Sequence, residues 1–231
     1  MTEIIFYEEL KKINIDLTNK QKQQFRDYLN YLIDYNKIIN LTAITEKNEI
    51  YLKHFYDSLL VAKYYSFSNE KVLDIGSGPG FPGVPLLICF PDIQLTIIES
   101  NTKKVVFLNN LKEILGLNFE IVNERAEIHA KKVREIFDVV VSRAVANLSI
   151  LAELSIPFLK NGGILISYKS KAEDEILNID KCLKKLSSIL QKVEKTFLID
   201  DMVRTFIFIK KTGSTDLKYP REYKKIKKNP L

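Results

Sequence analysis

The feature that most constrains the fold of this 231-residue chain is a glycine-rich turn, GSGPGFPG, at residues 76–83. A short apolar stretch with β-branched residues, 72–76, leads directly into the turn and predicts a strand. The apolar run that follows, 83–90, has a proline in its first turn and predicts a helix. Glycines allow positive φ angles and a close approach of the backbone to a ligand. A strand, a glycine turn and a helix in this order predict a nucleotide-binding turn in an α/β sheet.

Short apolar stretches alternate with helical patterns from this turn onwards, which predicts a mostly parallel sheet with helices on both faces. The last two predicted strands are separated only by Asp200 to Val203. A link this short is a hairpin, which places one antiparallel strand at the end of the sheet. We therefore predict an α/β, Rossmann-like fold with a seven-stranded, mostly parallel sheet and one antiparallel strand. The predicted strands are 72–76, 95–99, 119–122, 137–142, 164–168, 193–199 and 204–210, and the predicted helices lie near 83–90, 102–115, 127–134, 147–159 and 173–190.

The chain divides into three parts by pattern. Residues 1–65 are helical in character, and Thr18 with Gln21 forms a capping-box pattern ahead of a periodic apolar run. We predict a helical N-terminal extension over 1–65, a core with the nucleotide-binding turn over 66–211, and a basic C-terminal tail over 212–231.

The net charge of +6 is concentrated at the C-terminus. Residues 210–231 hold eight basic and two acidic residues, so the rest of the chain sums to zero. A basic tail is a candidate contact for a phosphate backbone, and the alternative interpretation is a solvated, solubilising end. No apolar run is long enough to cross a bilayer, and the N-terminus does not have the pattern of a signal peptide. With only two cysteines, both in helix-like runs, we expect a cytoplasmic protein.

The glycines are compatible with two cofactors. Residues 78–83 satisfy G-x-G-x-x-G, the pattern of dinucleotide-binding turns, which leaves an NAD-dependent oxidoreductase open. Read from Asp74 to Gly80, however, they fall as D-x-G-x-G-x-G, which resembles motif I of the class I S-adenosylmethionine-dependent methyltransferases. Glu99 ends the next predicted strand, where an acid reaches the ribose hydroxyls of a cofactor. A further alternative is a non-enzymatic RNA-binding assembly factor that keeps this fold.

The chemistry of methyl transfer limits which acceptor atoms this chain can methylate. Carbon 5 of a pyrimidine needs a cysteine nucleophile, but Cys89 and Cys182 lie in runs that predict packing roles. An exocyclic amine usually needs an Asn/Asp-Pro-Pro-aromatic turn, and the corresponding stretch, SRAVANL at 142–148, has no proline. N7 of guanine carries an in-plane lone pair and needs no general base. The pattern therefore favours guanine N7.

Basic residues stand at or near the predicted carboxyl ends of strands, where ligands of open α/β sheets bind. They are Arg143, Lys169 and Arg204. We interpret them as positioning candidates for a cofactor carboxylate or RNA phosphates, with plain surface charge as the alternative. No side chain is identified with certainty as catalytic, and no metal site is predicted.

Five stretches together resemble the bacterial glucose-inhibited division protein B family, the guanine-N7 methyltransferases of small-subunit ribosomal RNA. They are NLTAIT (40–45), HFYDSL (54–59), DIGSGPGFPGVPL (74–86), SRAVA (142–146), and KYPR with a closing NPL (218–221 and 229–231). The resemblance spans nearly the whole chain. It implies a class I methyltransferase fold, S-adenosylmethionine as cofactor, and a guanine in the decoding-region loop of 16S rRNA as acceptor. A monomer acting on the small ribosomal subunit, away from membranes, is expected.

The resemblance also implies roles for individual residues. Gly76 and Phe81 would flank the methionine and ribose part of the cofactor, and Glu99 would take the ribose hydroxyls. The full set implied for the cofactor is Gly76, Gly78, Phe81, Glu99, Ala126, Glu127 and Arg143, with Ala126 and Glu127 at the adenine. Lys169, Arg204 and Arg221 match basic positions expected near RNA. His54 would close the cofactor pocket or meet the RNA, or else be a structural histidine with Asp57 nearby on the same helical face.

Overall fold

A computed structural model describes residues 1–143, 146–199 and 202–231 of the chain. Its centre is one seven-stranded sheet in the order β3-β2-β1-β4-β5-β7-β6. The strands are β1 (Lys71–Ile75), β2 (Gln94–Ile98), β3 (Glu120–Val122), β4 (Phe137–Arg143), β5 (Leu159–Lys169), β6 (Ser188–Phe197) and β7 (Val203–Lys211). The central strands are buried on both faces, as their continuous apolar runs predict.

Six strands run in one direction and β7 runs against them, which confirms the predicted fold class. The pairs from β3 through to β5 are parallel, whereas β7 is antiparallel to both β5 and β6. The hairpin of β6 and β7 forms one edge of the sheet. The antiparallel strand β7 is not the edge strand, however, because it lies between β5 and β6. The edge strand β6 is therefore parallel to the other five.

Helices cover the sheet between its strands. They are α5 (Gly83–Cys89), α6 (Thr102–Leu115), α7 (Ala126–His129), α8 (Leu148–Ser155), α9 (Glu173–Leu177) and α10 (Asp180–Lys185), counted after four N-terminal helices. The sequence pattern places a helix near 173–190, but β6 already begins at Ser188, which pairs with Lys211. Likewise β5 begins at Leu159, beside Phe137. Pairing with a neighbouring strand overrides the local helical pattern at these ends.

The N-terminal region is helical, as predicted. It comprises α1 (Glu3–Lys11), α2 (Asn19–Asn36), α3 (Lys47–Ile50), a π-helical turn (Tyr51–Tyr56), α4 (Asp57–Leu59) and a 3₁₀ turn (Leu60–Lys63). The capping box at the start of α2 is present, because Thr18 Oγ1 accepts from the N–H of Gln21 while the Gln21 side chain accepts from the N–H of Thr18.

An aromatic cluster joins these helices to the glycine turn. Phe25 and Phe55 have ring centroids 5.1 Å apart, and Phe6 meets Phe25 edge-on at 5.1 Å. Tyr28 stacks on Phe81 of the turn at 5.3 Å, and its hydroxyl donates to the carbonyl of Pro79. The N-terminal helices therefore share a hydrophobic core with the sheet.

The C-terminal segment, residues 212–231, also packs on the core and ends in α11 (Tyr223–Lys228). Tyr219 and Ile226 are buried, and Arg221 binds Glu153 of α8. The alternative of a solvated, solubilising end therefore holds for the exposed lysines, but it is wrong for Tyr219, Arg221 and Ile226, which pack on the protein. Among the described residues, no helix is long and apolar enough to cross a membrane.

Candidate active site

The glycine turn leaves β1 in a conformation that depends on its glycines. Gly76, Gly78 and Gly80 have φ angles of 69°, 60° and 106°, which L-residues with a Cβ rarely adopt. Gly83 has an ordinary φ, but a Cβ there would lie 2.7 Å from Asp74 Oδ2. The N–H of Gly83 instead donates to that oxygen at 2.8 Å, so Asp74 ties the end of the turn back to β1.

Asp74 is fully buried beneath the turn. Burial raises the pKa of its carboxyl to about 7, against the lowering effect of the Ser77 hydroxyl and the Gly83 N–H. The turn covers Asp74, so its carboxyl cannot contact a bound ligand. Its role is to hold the conformation of the turn through the hydrogen bond to Gly83.

Glu99 follows β2 and faces the turn. Its Oε2 accepts from the N–H of Gly78 at 3.1 Å, and its Oε1 accepts from the N–H of Asn101 at 2.8 Å. Asn123 Nδ2 donates to the Glu99 carbonyl at 3.0 Å. Because a carboxylate has about four acceptor sites, two remain for donors from a ligand. The side chain is thus buried, oriented and still able to accept hydrogen bonds.

Four of the predicted cofactor residues line one cleft at the carboxyl ends of β1 and β2: Gly76, Glu99, Ala126 and Glu127. The walls also include apolar side chains and a second acid, Glu124, and among the lining residues Arg125 is the one cation. The cleft therefore combines apolar walls with three carboxylates, a lining that suits a neutral or cationic ligand.

Tyr223 of α11 lines the same cleft, and the sequence reasoning missed it. No local pattern connects this residue with Gly76, far away along the chain. The available signal was the resemblance of the C-terminal stretches to the family, which extends the match past the core.

Gly78, Phe81 and Arg143, the other predicted cofactor residues, do not line that cleft, and Phe81 and Arg143 lie towards the N-terminal helices. Phe81 is buried and stacks on the ring of His54 with 4.6 Å between centroids. The Arg143 guanidinium stands 5.0 Å from the centre of the Phe81 ring, within cation–π range. The structure thus divides the predicted cofactor set into a cleft group and a group around Phe81, with Gly78 bonded to the cleft group through Glu99.

A buried carboxylate holds two of the three positioning candidates together. Asp57 has no exposed surface. Its Oδ2 accepts from Arg143 Nη1 at 2.8 Å, and Arg204 donates to both oxygens from Nε at 2.5 Å and from Nη2 at 2.8 Å. Lys169 does not join them, because its ammonium donates to Glu175 at 2.9 Å and to the carbonyl of Ala146. Asp57 is a site residue whose connection to the arginines the sequence reasoning missed.

His54 is a member of the same network, but Asp57 is not its hydrogen-bond partner. Its Nδ1 accepts from Arg143 Nη2 at 3.2 Å, so Nε2 carries the proton and donates to Thr42 Oγ1 at 2.9 Å. Burial, followed by the charge of Arg143, lowers the pKa of the ring to about 3. The ring is therefore neutral at physiological pH, and it unites the stretches 40–45, 54–59 and 142–146.

A second buried carboxylate lies on α8. Glu153 has no exposed surface, and its oxygens accept from Arg221 Nε at 2.8 Å, Nη2 at 2.6 Å and the backbone N–H at 2.9 Å. The Arg221 guanidinium, expected near RNA, is thus engaged within the protein.

Comparison with known proteins identifies the family. The model of GidB, rRNA small subunit methyltransferase G, matches residues 21–205. The chain belongs to this family. It is 44% identical to ribosomal RNA small subunit methyltransferase G of Lactobacillus acidophilus over 98% of each chain, and 41% identical to that of Bacillus velezensis over 98% of this chain and 97% of the relative. The family resemblance predicted from the five stretches is confirmed.

Solved structures agree in fold. Ribosomal protein L11 methylase from Lactobacillus delbrueckii superposes with a TM-score of 0.53 at 11% identity, covering 70% of this chain and 79% of the methylase. M. jannaschii TYW2 in complex with AdoMet superposes with a TM-score of 0.52 at 17% identity, covering 67% and 71%. At this identity the likeness concerns the fold, and it confirms the predicted class I methyltransferase architecture.

Proposed function

We propose that this protein transfers the methyl group of S-adenosylmethionine to N7 of a guanine in 16S rRNA of the small ribosomal subunit. The observation that carries the proposal is the acid-lined cleft beside the glycine turn in a chain of the rRNA small subunit methyltransferase G family. We expect the protein to act as a monomer in the cytoplasm, where its substrate is assembled.

The cleft fits this cofactor better than a dinucleotide. Glu99 keeps acceptor sites for a ribose diol, and the apolar side chains of Ile98, Ala126 and Leu154 offer walls for adenine. Glu124 is paired with Lys132, but Glu99 and Glu127 still outnumber Arg125, the one cation of the lining, and this negative charge opposes the pyrophosphate of NAD. When bound, S-adenosylmethionine supplies an electrophilic methyl group on positively charged sulfur.

The protein's residues would divide the remaining work by position. We assign the methionine and ribose part to Gly76, Gly78, Phe81 and Arg143, and the adenine to Ala126 and Glu127 (Glu99 holds the ribose). Arg143 and Arg204 carry two positive charges against the single charge of Asp57, and His54 between them is neutral. The excess positive charge favours an anion, either the cofactor carboxylate or an RNA phosphate. Lys169 would contribute a further positive charge for RNA, away from the Asp57 network.

The two cysteines support an acceptor that needs no covalent catalysis. Burial raises the pKa of the Cys182 thiol to about 12 and raises the pKa of the Cys89 thiol further. A thiol kept protonated is a poor nucleophile. Attack on carbon 5 of a pyrimidine is therefore disfavoured, whereas the lone pair of guanine N7 attacks the methyl carbon directly once it is aligned.

The test is methyl incorporation from radiolabelled S-adenosylmethionine into 16S rRNA from a strain lacking the gene. We expect label in a guanine at N7. Glu99→Gln should weaken cofactor binding about 10- to 100-fold in calorimetry, since a hydrogen bond to a charged group contributes about 1.5–3 kcal/mol. The control is Glu120→Gln, an acid at the opposite end of the neighbouring strand. Absence of label, or binding of NAD in place of S-adenosylmethionine, would contradict the proposal.

A further inference from the structure

We infer that the groove between α7 and α11 holds the phosphate backbone of the substrate RNA while the cofactor cleft beside it holds the methyl donor. This inference rests on the proposed function and names the surface of the protein that meets the RNA. The groove is lined by Arg125, Glu127, Glu222, Tyr223, Lys224, Lys227 and Lys228.

The groove and the cleft are adjoining spaces with shared walls. Arg125, Glu127 and Tyr223 line both. The cleft measures about 160 Å³ and the groove about 880 Å³. A small cleft that adjoins a larger groove provides room for a nucleoside cofactor next to a polymeric substrate.

The charge of the groove matches a polyanion. Lys224, Lys227 and Lys228 are exposed, and within the described residues none of their ammonium groups lies in an ion pair. Of the two acids in the lining, Glu222 already pairs with Lys225 at 3.5 Å, and Glu127 is buried towards the cleft. The segment that carries this helix, residues 212–231, holds six basic and two acidic residues and so has an excess positive charge. Three unpaired lysines on one short helix can release counterions from a phosphate backbone.

The groove is held in shape without RNA. Ile226 anchors α11 in the core, and Arg221 fastens the preceding residues to Glu153. Arg134 donates to the carbonyls of Thr215 and Tyr219 at 3.0 and 2.6 Å. A preformed charged surface binds a flexible strand with a smaller ordering cost on the protein side.

Planar groups stand where the groove meets the cleft. The Arg125 guanidinium lies 5.7 Å from the centre of the Tyr223 ring. Aromatic rings and guanidinium planes are surfaces on which unpaired bases stack. Phosphate contacts along α11 and a stacking surface at its first residue therefore describe a site for single-stranded RNA next to the cofactor.

The experiment compares two triple variants. The first is Lys224→Glu, Lys227→Glu and Lys228→Glu on α11. The matched control is Lys181→Glu, Lys184→Glu and Lys185→Glu on α10, which is also six residues long, carries exposed lysines and lines neither space. Both are assayed for KM and kcat on 16S rRNA lacking the modification, for the salt dependence of RNA binding, and for S-adenosylmethionine binding by calorimetry.

We expect the α11 variant to raise KM for RNA at least about tenfold at ~0.1 M salt, and to lower the slope of log K against log salt by about 2. Cofactor affinity should not change, and the α10 variant should resemble the wild type. Equal losses in both variants, an unchanged KM in the α11 variant, or a loss of cofactor affinity alone would overturn the inference. So would loss of binding to phosphatidylglycerol vesicles with RNA binding intact, which would assign the groove to a membrane surface. Failure of the proposed function is distinguishable, because the wild type would then place no methyl group on rRNA.

Discussion

The N-terminal helices and the C-terminal segment each bind the rest of the protein through a buried carboxylate that pairs with arginine. They differ in which side supplies the carboxylate and which supplies the arginine. At the N-terminus the extension supplies the carboxylate, Asp57, and the sheet supplies Arg143 and Arg204. At the C-terminus the segment supplies Arg221 and the core helix α8 supplies Glu153. Both carboxylates have no exposed surface.

The two regions differ in the apolar side chains that they contribute to the core. The N-terminal helices contribute the aromatic cluster of Phe6, Phe25, Tyr28 and Phe55, each fully buried. At the C-terminus the main apolar anchors are Tyr219 and Ile226. Burying one large apolar side chain contributes about 1.5–3 kcal/mol, whereas a buried ion pair roughly offsets its own desolvation. The N-terminal helices are therefore part of the folding core, while the C-terminal segment depends more heavily on polar contacts, which are the Arg221–Glu153 pair and the hydrogen bonds of Arg134.

The largest effect is expected for Asp57→Asn. The substitution keeps the shape of the side chain but leaves two largely buried guanidinium groups without a counterion. We expect the free energy of unfolding to fall by about 3–5 kcal/mol in urea denaturation. Asp34→Asn, which removes an exposed partner of Lys37, serves as the control and should leave stability unchanged. A small effect at Asp57 would show that the aromatic cluster alone holds the N-terminal helices.

A smaller and more local effect is expected for Glu153→Gln. The Arg221 guanidinium loses its charged partner but lies near enough to the surface to reach water, so we expect a cost of about 2 kcal/mol. Because the C-terminal segment has few apolar anchors, this loss should release the part beyond Tyr219, residues 220–231, before the core unfolds, while Arg134 still holds Thr215 and Tyr219. Limited proteolysis should show faster cleavage there with an unchanged global transition. If the midpoint of global unfolding fell without faster local cleavage, the C-terminal segment would unfold together with the core, which would contradict this prediction.

A pH-dependent effect of similar size is expected in the N-terminal region, where His54 belongs to the Asp57 network. His54 has a pKa of about 3 in the folded protein against 6.5 in the unfolded chain, so its contribution is present above pH 6.5 and is lost as the pH falls below it. From pH 7 to pH 5 the stability difference between wild type and His54→Gln should shrink by about 2 kcal/mol. His129→Gln, at the other histidine of the chain, controls for the loss of an imidazole outside this network. If the stability difference between wild type and His54→Gln did not change with pH, the pKa of His54 would be the same in the folded and the unfolded protein, which would contradict the prediction.

Sequence reasoning was accurate where the signal is local. The turn from Gly76 to Gly83, the acid Glu99 and the strand–helix alternation follow from neighbouring residues, and the structure places them as expected. The predicted starts of β5 and β6 lie several residues too late in the chain. The first residues of both strands are extended only because they pair with β4 and β7. The predicted cofactor residues Ala126 and Glu127 came from the resemblance, and the structure brings them to the same cleft as Glu99.

The sequence by itself determined the class of fold and the place of the glycine turn, since both depend on short patterns whose physical meaning is independent of distant residues. The family followed from a resemblance that extends along nearly the whole chain. Only the tertiary structure decided which carboxylate meets which arginine. Asp57 and Arg204 are 147 residues apart, and Glu153 and Arg221 are 68 apart. No local rule links such residues, because buried charges pair according to which elements pack together. The same packing brings Tyr223 and the lysines of α11 beside the cleft that we propose for the cofactor.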